Sequence, residues 1–288
     1  MRGKCNLYKT QAELQNSHLI PKFVFDYLKE TGGRYFRTYK NPNLRLQDGP
    51  KAYLLSEQAE QEFSKRERWF ANNIFFPYQK DNKTAFDYDE NLAYFMISVL
   101  WRVLIDQIEQ VSKKNDDLFN FLSDVAEEWR LFLSESKNPK NFDNLSIFLT
   151  DRISSHNTTS FNADLYMSRV VDATIITNKT NTSVSIYAKF SRFMIWSIIK
   201  GNKTKGENIN INFNKGKLKL PQIINDDYFG DFIHHRISII DNVEEVSEKQ
   251  QEKIIQELSK NENKFWTSDA GQSMINDFII TSKNAEMP

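Results

Sequence analysis

The sequence predicts an α+β protein. Two stretches between residues 90 and 135 repeat apolar residues at helical spacing, β-prone runs follow residue 170, and helical patterns return toward the C-terminus. The 288 residues suit one large domain or two small ones, and 40% hydrophobic with 26% charged residues excludes wholesale disorder.

Three segments emerge, at 1–80, 81–160 and 161–288. In the first, Pro21 opens a helix whose Phe23, Val24, Tyr27 and Leu28 fall at helical spacing, and Gly32-Gly33 closes it. Asn41-Pro42-Asn43 and Asp48-Gly49-Pro50 read as turns, and Ala52–Leu55 as a short strand. A second helix is expected from near Ser56 to Phe70, with Ala59, Phe63, Arg66 and Phe70 along one side.

The middle segment reads as helical. Leu92, Phe95, Met96, Val99, Leu100, Val103, Ile108 and Val111 make one stripe; Leu118, Leu122, Val125, Trp129 and Phe132 make another, behind the helix-opening pair Asp116-Asp117. Trp101 and Trp129 are assigned to packing. In the third segment Val170–Ile176 and Ser183–Tyr187 are strands joined by a turn at Asn178–Asn181. Further strands are expected around Ile209–Phe213 and Leu218–Leu220, and helices near Glu244–Leu258 and Ala270–Ile280.

Net charge is zero, so no overall field draws the chain to nucleic acid or anionic lipid. The charge is unevenly placed. Residues 1–80 carry 14 basic against 8 acidic side chains, and residues 81–160 reverse those numbers. Arg34, Arg37, Lys40, Arg45 and Lys51 interleave with Tyr35, Phe36 and Tyr39. Such a segment is either a solvated loop with inward aromatics or a surface for a phosphate-rich, base-bearing partner.

Cys5 is the only cysteine, which excludes an internal disulfide and any Cys-only zinc site. No apolar run approaches the ~20 residues of a membrane span, and the first residues lack a signal-peptide core, so a cytoplasmic location without membrane association is expected. Neither a phosphate-cradling glycine loop nor a Gly-x-Ser-x-Gly elbow occurs, which leaves ATP-driven chemistry and serine hydrolysis unsupported.

Four histidines can carry proton chemistry. His156 sits in a polar run and reads as a surface residue. Adjacent side chains point apart, so His234 and His235 are poorly placed to share a metal. His18, in Ser17-His18-Leu19-Ile20-Pro21, falls at a strand-to-helix junction. That place suits either a general base or a simple helix-capping residue.

Cys5-x2-Tyr8, Ser17–Phe23, and Gln47-Asp48-Gly49-x-Lys51-x-Tyr53-Leu54-Leu55-Ser56-x2-Ala59-Glu60-x2-Phe63-Ser64-x2-Glu67 follow one another in the first quarter of the chain. In that order they resemble a bacterial family of HNH-endonuclease-like proteins. Leu100-Trp101-Arg102 and Ser168-Arg169-x2-Asp172 are similar to the same family further on. The resemblance implies a treble-clef, or ββα-metal, unit at the N-terminus, followed by central helices and a β-containing α+β region. It departs from the family at the zinc knuckle, whose four positions read Cys5, Tyr8, Ser56 and Ala59. Tetrahedral zinc needs four Cys or His ligands, so structural zinc is expected to be absent, with packing around Tyr8 and Ala59 in its place.

The resemblance also implies a catalytic set. His18 corresponds to the histidine that activates water, while Ser17 stands where many relatives have a metal-binding Asp. Glu60 falls where the final histidine commonly lies, and a carboxylate there suits Mg²⁺ or Mn²⁺. Glu67, two helical turns on, shares its face, and Asp48 is a further ligand from the preceding turn. Glu60 and Glu67 are equally readable as solvated helix carboxylates.

The expected function is thus a metal-dependent nuclease acting on DNA more than RNA, in phage defence or a mobile element. The alternative is an inactive descendant that binds nucleic acid or a partner protein. A third is an assembly protein that self-associates.

Overall fold

The structure, a computed structural model, describes residues 1–113, 115–137, 144–153, 162–260 and 262–285. It is a mixed α+β fold, with ~49% helix and 24% strand distributed over several antiparallel sheets. Strands β1 (Arg2–Lys4) and β2 (Gln11–His18) lead into α1 (Lys22–Glu30). A hairpin of β3 (Phe36–Thr38) and β4 (Asn41–Leu46) precedes β5 (Lys51–Ser56), which completes a sheet in the order β1-β2-β5. Helix α2 (Glu57–Phe70) continues through a π-helical turn, Ala71–Phe75, into α3 (Phe76–Asp81). Then come β6 (Ala85–Tyr88), α4 (Glu90–Val111) and α5 (Asp116–Glu135).

The second half is built on one sheet. Strand β7 (Leu145–Leu149), helix α6 (Ala163–Arg169) and strands β8 (Asp172–Thr177), β9 (Val184–Phe190) and β10 (Phe193–Lys200) give the order β7-β10-β9-β8. Short strands β11 (Gly206–Glu207), β12 (Gly216–Lys219) and β13 (Ile223–Ile224) follow, β12 pairing with β6 and β11 with β13. Helices α7 (Asp227–Asp241), α8 (Glu248–Ser259), α9 (Glu262–Thr267) and α10 (Asp269–Ala285) end the chain.

Local chemistry accounts for the element starts. Pro21 precedes α1, whose Val24, Phe25, Tyr27 and Leu28 are buried. Ser56 caps α2 by accepting the Ala59 N–H, with Glu57 and Glu60 in the first turn. Asp89, Asn115 and Asp226 cap α4, α5 and α7 in the same way.

Helix α4 is buried along most of its length. Among the described residues it alone combines the length and apolarity of a membrane span, and neighbouring elements cover it. It packs against α2, α5 and the sheet strands β8, β9 and β10. The resulting core draws side chains from Cys5 to Leu218, so all three sequence segments share it. A second cluster covers the opposite face of the sheet, where Tyr187, Met194 and Trp196 meet Phe229, Ile233 and Ile237 of α7. Strands β9 and β10 are consequently covered on both faces.

Two local expectations change. Asn41–Asn43 forms the start of β4 rather than a turn: Thr38 pairs with Asn41, whose N–H reaches Thr38 Oγ1, and the hairpin turns at Tyr39-Lys40, two residues earlier. Ile209–Phe213 forms no strand of its own. It runs beside β7, joined by the Ser146–Asn210 bridge and by backbone bonds from Ile147 to Ile209 and from Ile211 to Leu145.

Phe70 is fully buried, stacked on Phe95 with ring centroids 4.0 Å apart, and meets Phe190 and Phe193 edge-on. It therefore joins α2 to α4 and to the sheet. Phe70→Ala is expected to remove about 3–5 kcal/mol of stability, read from the urea midpoint at unchanged slope; a loss below about 1 kcal/mol would contradict the shared core.

Candidate active site

His18 ends β2 and Lys51 begins β5, and the antiparallel register sets them directly opposite each other. Cross-strand partners share a face. Asp48, in the turn before β5, bridges the two: its Oδ1 is 2.9 Å from His18 Nε2, and its Oδ2 is 2.8 Å from Lys51 Nζ. The His18 contact has ion-pair distance without the in-line geometry of a hydrogen bond. Burial opposes charge on Asp48, but Lys51, His18 and the Gly49 N–H outweigh it and hold the carboxyl well below the usual range.

Phe25 of α1 forms the wall of this cluster. The His18 ring stacks beside it at 5.7 Å, and Phe36 meets it edge-on. Gly49 presses against the same ring, where a Cβ would lie 1.9 Å from Phe25 Cζ. Only glycine lets the turn approach closely enough to deliver Asp48.

The two helix carboxylates do not join this cluster. Glu67 pairs at 2.8 Å with Arg102, a buried side chain of α4. Arg102 also donates to the His18 carbonyl at 2.8 Å and to the Ser98 carbonyl at 3.1 Å. Glu60 is half-buried, with one carboxylate oxygen enclosed and unbonded. Among the described residues no three His, Cys, Asp or Glu side chains converge as metal donors. A cation at Asp48 would compete with the Lys51 ammonium.

The four knuckle positions lie where β1, β5 and α2 meet. The Ser56 N–H donates to Cys5 Sγ at 3.3 Å, Cys5 and Ala59 are wholly buried, and Tyr8 packs against the same core. Burial works to raise the pKa of the Cys5 thiol, but bonds from Ser56 and from the backbone of Tyr8 and Leu7 outweigh it and lower the value.

The basic side chains divide by partner. Arg37 and Arg45 both donate to Gln250 Oε1 of α8, at 3.1 and 2.9 Å. Arg34 and Arg45 lie over the Tyr35 ring, and Lys40 over Tyr39. Arg34 and Lys40 are exposed, whereas Lys51 is held by Asp48. His234 and His235 are exposed on α7, and His156 lies outside the described residues.

Sequence reasoning missed the parts played by Phe25, Arg102 and Gln250. Arg102 carried the one available signal, a cation inside an apolar stripe. Arg169 and Asp172, too, have structural partners: Arg169 donates to Leu28 O and Thr31 Oγ1 at the end of α1, and Asp172 pairs with Arg236. No family model, curated protein or solved structure matches this chain.

Two outcomes follow. Arg102→Met strands Glu67 and is expected to cost about 3–5 kcal/mol in urea unfolding, with partial recovery when Glu67→Met is added. The lowered Asp48 carboxyl contributes stability that is complete above pH ~4 and fades as pH falls toward its folded value. Asp48→Asn should thus flatten the acid limb of the stability profile, and an unchanged limb would refute the coupling.

Proposed function

We propose that this chain is an HNH-like nuclease that hydrolyses phosphodiester bonds in nucleic acid, DNA before RNA, through a degenerate treble-clef unit at its N-terminus. The observation that carries the reading is the His18–Asp48–Lys51 cluster beside the Phe25 wall. With Nε2 turned to Asp48, Nδ1 is the nitrogen left to take a proton from water. The carboxylate stabilises the imidazolium that results. Lys51 offers positive charge to a phosphate oxygen as the bond breaks. Exposed Arg34 and Lys40, each beside a tyrosine ring, supply contacts for a nucleic-acid backbone and its bases.

The treble-clef reading rests on chain order. The β1–β2 pair is followed, after α1 and the β3–β4 hairpin, by β5 leading into α2, and the Ser56 N–H donates to Cys5 Sγ, which supports reading Cys5 and Ser56 as two of the knuckle positions. Mg²⁺ or Mn²⁺ is the cofactor expected of the class. No step is assigned to it, because among the described residues Asp48 is the one carboxylate paired with His18.

A second reading, an inactive module that binds nucleic acid, draws on a specific observation. Glu67 and Asp48 are both neutralised by cations of the chain itself.

A strand-cleavage assay separates the two. Supercoiled plasmid, linear duplex, single-stranded DNA and RNA would each be incubated with Mg²⁺, Mn²⁺ or EDTA. Cutting that falls about 100-fold or more in His18→Ala supports the nuclease. Gel-shift binding without cutting would overturn it in favour of the binding module.

A further inference from the structure

A surface helix ordinarily turns its apolar side inward, yet α10 turns Ser273, Asn276 and Asp277 inward beside Ala270 and Ile280. Ser273 is fully buried, donates to Ser168 Oγ at 2.7 Å, and accepts from Arg152 and Arg192. Asn276 donates to Asp164 and to the Ile153 carbonyl. Asp277 accepts the Asp164 and Leu165 N–H groups at the start of α6, at 2.8 and 2.9 Å. These bonds fix the rotation of α10 and leave its apolar side facing out.

That outer side carries Met274, Ile275, Phe278 and Ile279, at 44, 38, 73 and 44% exposure. At 100° per residue these four lie within one continuous arc that contains no charged residue. The exposed Trp266 extends the surface from α9, because Gly271 of α10 lies directly against the Trp266 backbone. Together they leave on the order of 450 Å² of apolar surface uncovered, about the apolar share of the ~800 Å² that one partner gives a standard interface.

The pattern is also self-complementary. Met274-Ile275 and Phe278-Ile279 are symmetric about Asn276-Asp277, so an antiparallel copy sets Ile275 against Phe278 and Met274 against Ile279. An isologous two-fold interface has this property, with residue i meeting j and j meeting i. The chain's zero net charge adds no long-range repulsion between copies.

We propose that the outer face of α10 pairs antiparallel with α10 of a second copy of this chain, forming a two-fold dimer centred on Ile275 and Phe278. The inference stands apart from the nuclease reading.

Sedimentation velocity of the full chain from about 1 to 100 μM tests it. A species of twice the chain mass is expected. Phe278→Asp should weaken the dimer by roughly 30-fold or more, with unchanged circular dichroism, since Phe278 projects into solvent. As a second route, Ile275→Cys combined with Phe278→Cys should cross-link two chains under mild oxidation. A single species of monomer mass throughout would overturn the proposal, as would a dimer unaffected by Phe278→Asp with Ile275→Lys.

Discussion

The buried guanidinium of Arg102 constrains the N-terminal half of the molecule. It lies deep in the shared core, where an unpaired charge would be severely destabilising. Its donors therefore dictate where their acceptors stand: the Ser98 carbonyl one turn back, Glu67 on α2, and the His18 carbonyl at the end of β2. Three elements meet at one side chain. Once the His18 backbone is fixed, the β2–β5 register places Lys51, and the short turn before Lys51 places Asp48. The candidate site thus inherits its geometry from a residue that takes no part in its chemistry.

The same constraint explains why Glu67 is a poor metal ligand. Its spacing from Glu60 suggests a shared helix face with free carboxylates. Arg102 needs a counter-ion within the core, and Glu67 is that counter-ion. A pairing across 35 residues, between an exposed-looking helix and an apolar stripe, has no local signature. Asp48 is the opposite case. It sits three residues from Lys51 in a turn, and its partnership with His18 follows once strand pairing is known.

Legibility elsewhere depended on which physical signal each element carries. Helices α1, α2, α4 and α5 have one apolar side or a capping residue, and periodicity places them close to their observed bounds. The β8–β9 hairpin was readable because β-prone runs flank a polar turn, with Asn181 left-handed. Strand β10, like β9, is covered on both faces and lacks the alternation of a half-exposed strand; unlike β9 it has no Asn-rich turn beside it to mark it, and it was missed. Helix α10 was expected near its true position, but its rotation was not legible. Periodicity marks an apolar side as inward, and here Asp164, Arg152 and Arg192 turn the polar side inward instead.

The C-terminal helices also complete the candidate site. Helix α1, which supplies Phe25, ends in carbonyls that need donors. Arg169 donates to Leu28 O, and the Ala270 N–H at the start of α10 reaches Thr31 O at 3.3 Å. The basic hairpin is held by Gln250, and by Asn43, which accepts the Ser247 N–H. His18 itself is held through Arg102. These supports, from Arg169, Ala270, Gln250, Ser247 and Arg102, all come from beyond residue 80. A fragment ending there would leave α1 with unpaired carbonyls, the hairpin without its anchor and β2 without the guanidinium that positions it. The site belongs to the whole chain, because its walls are satisfied by groups that only the complete fold brings into reach.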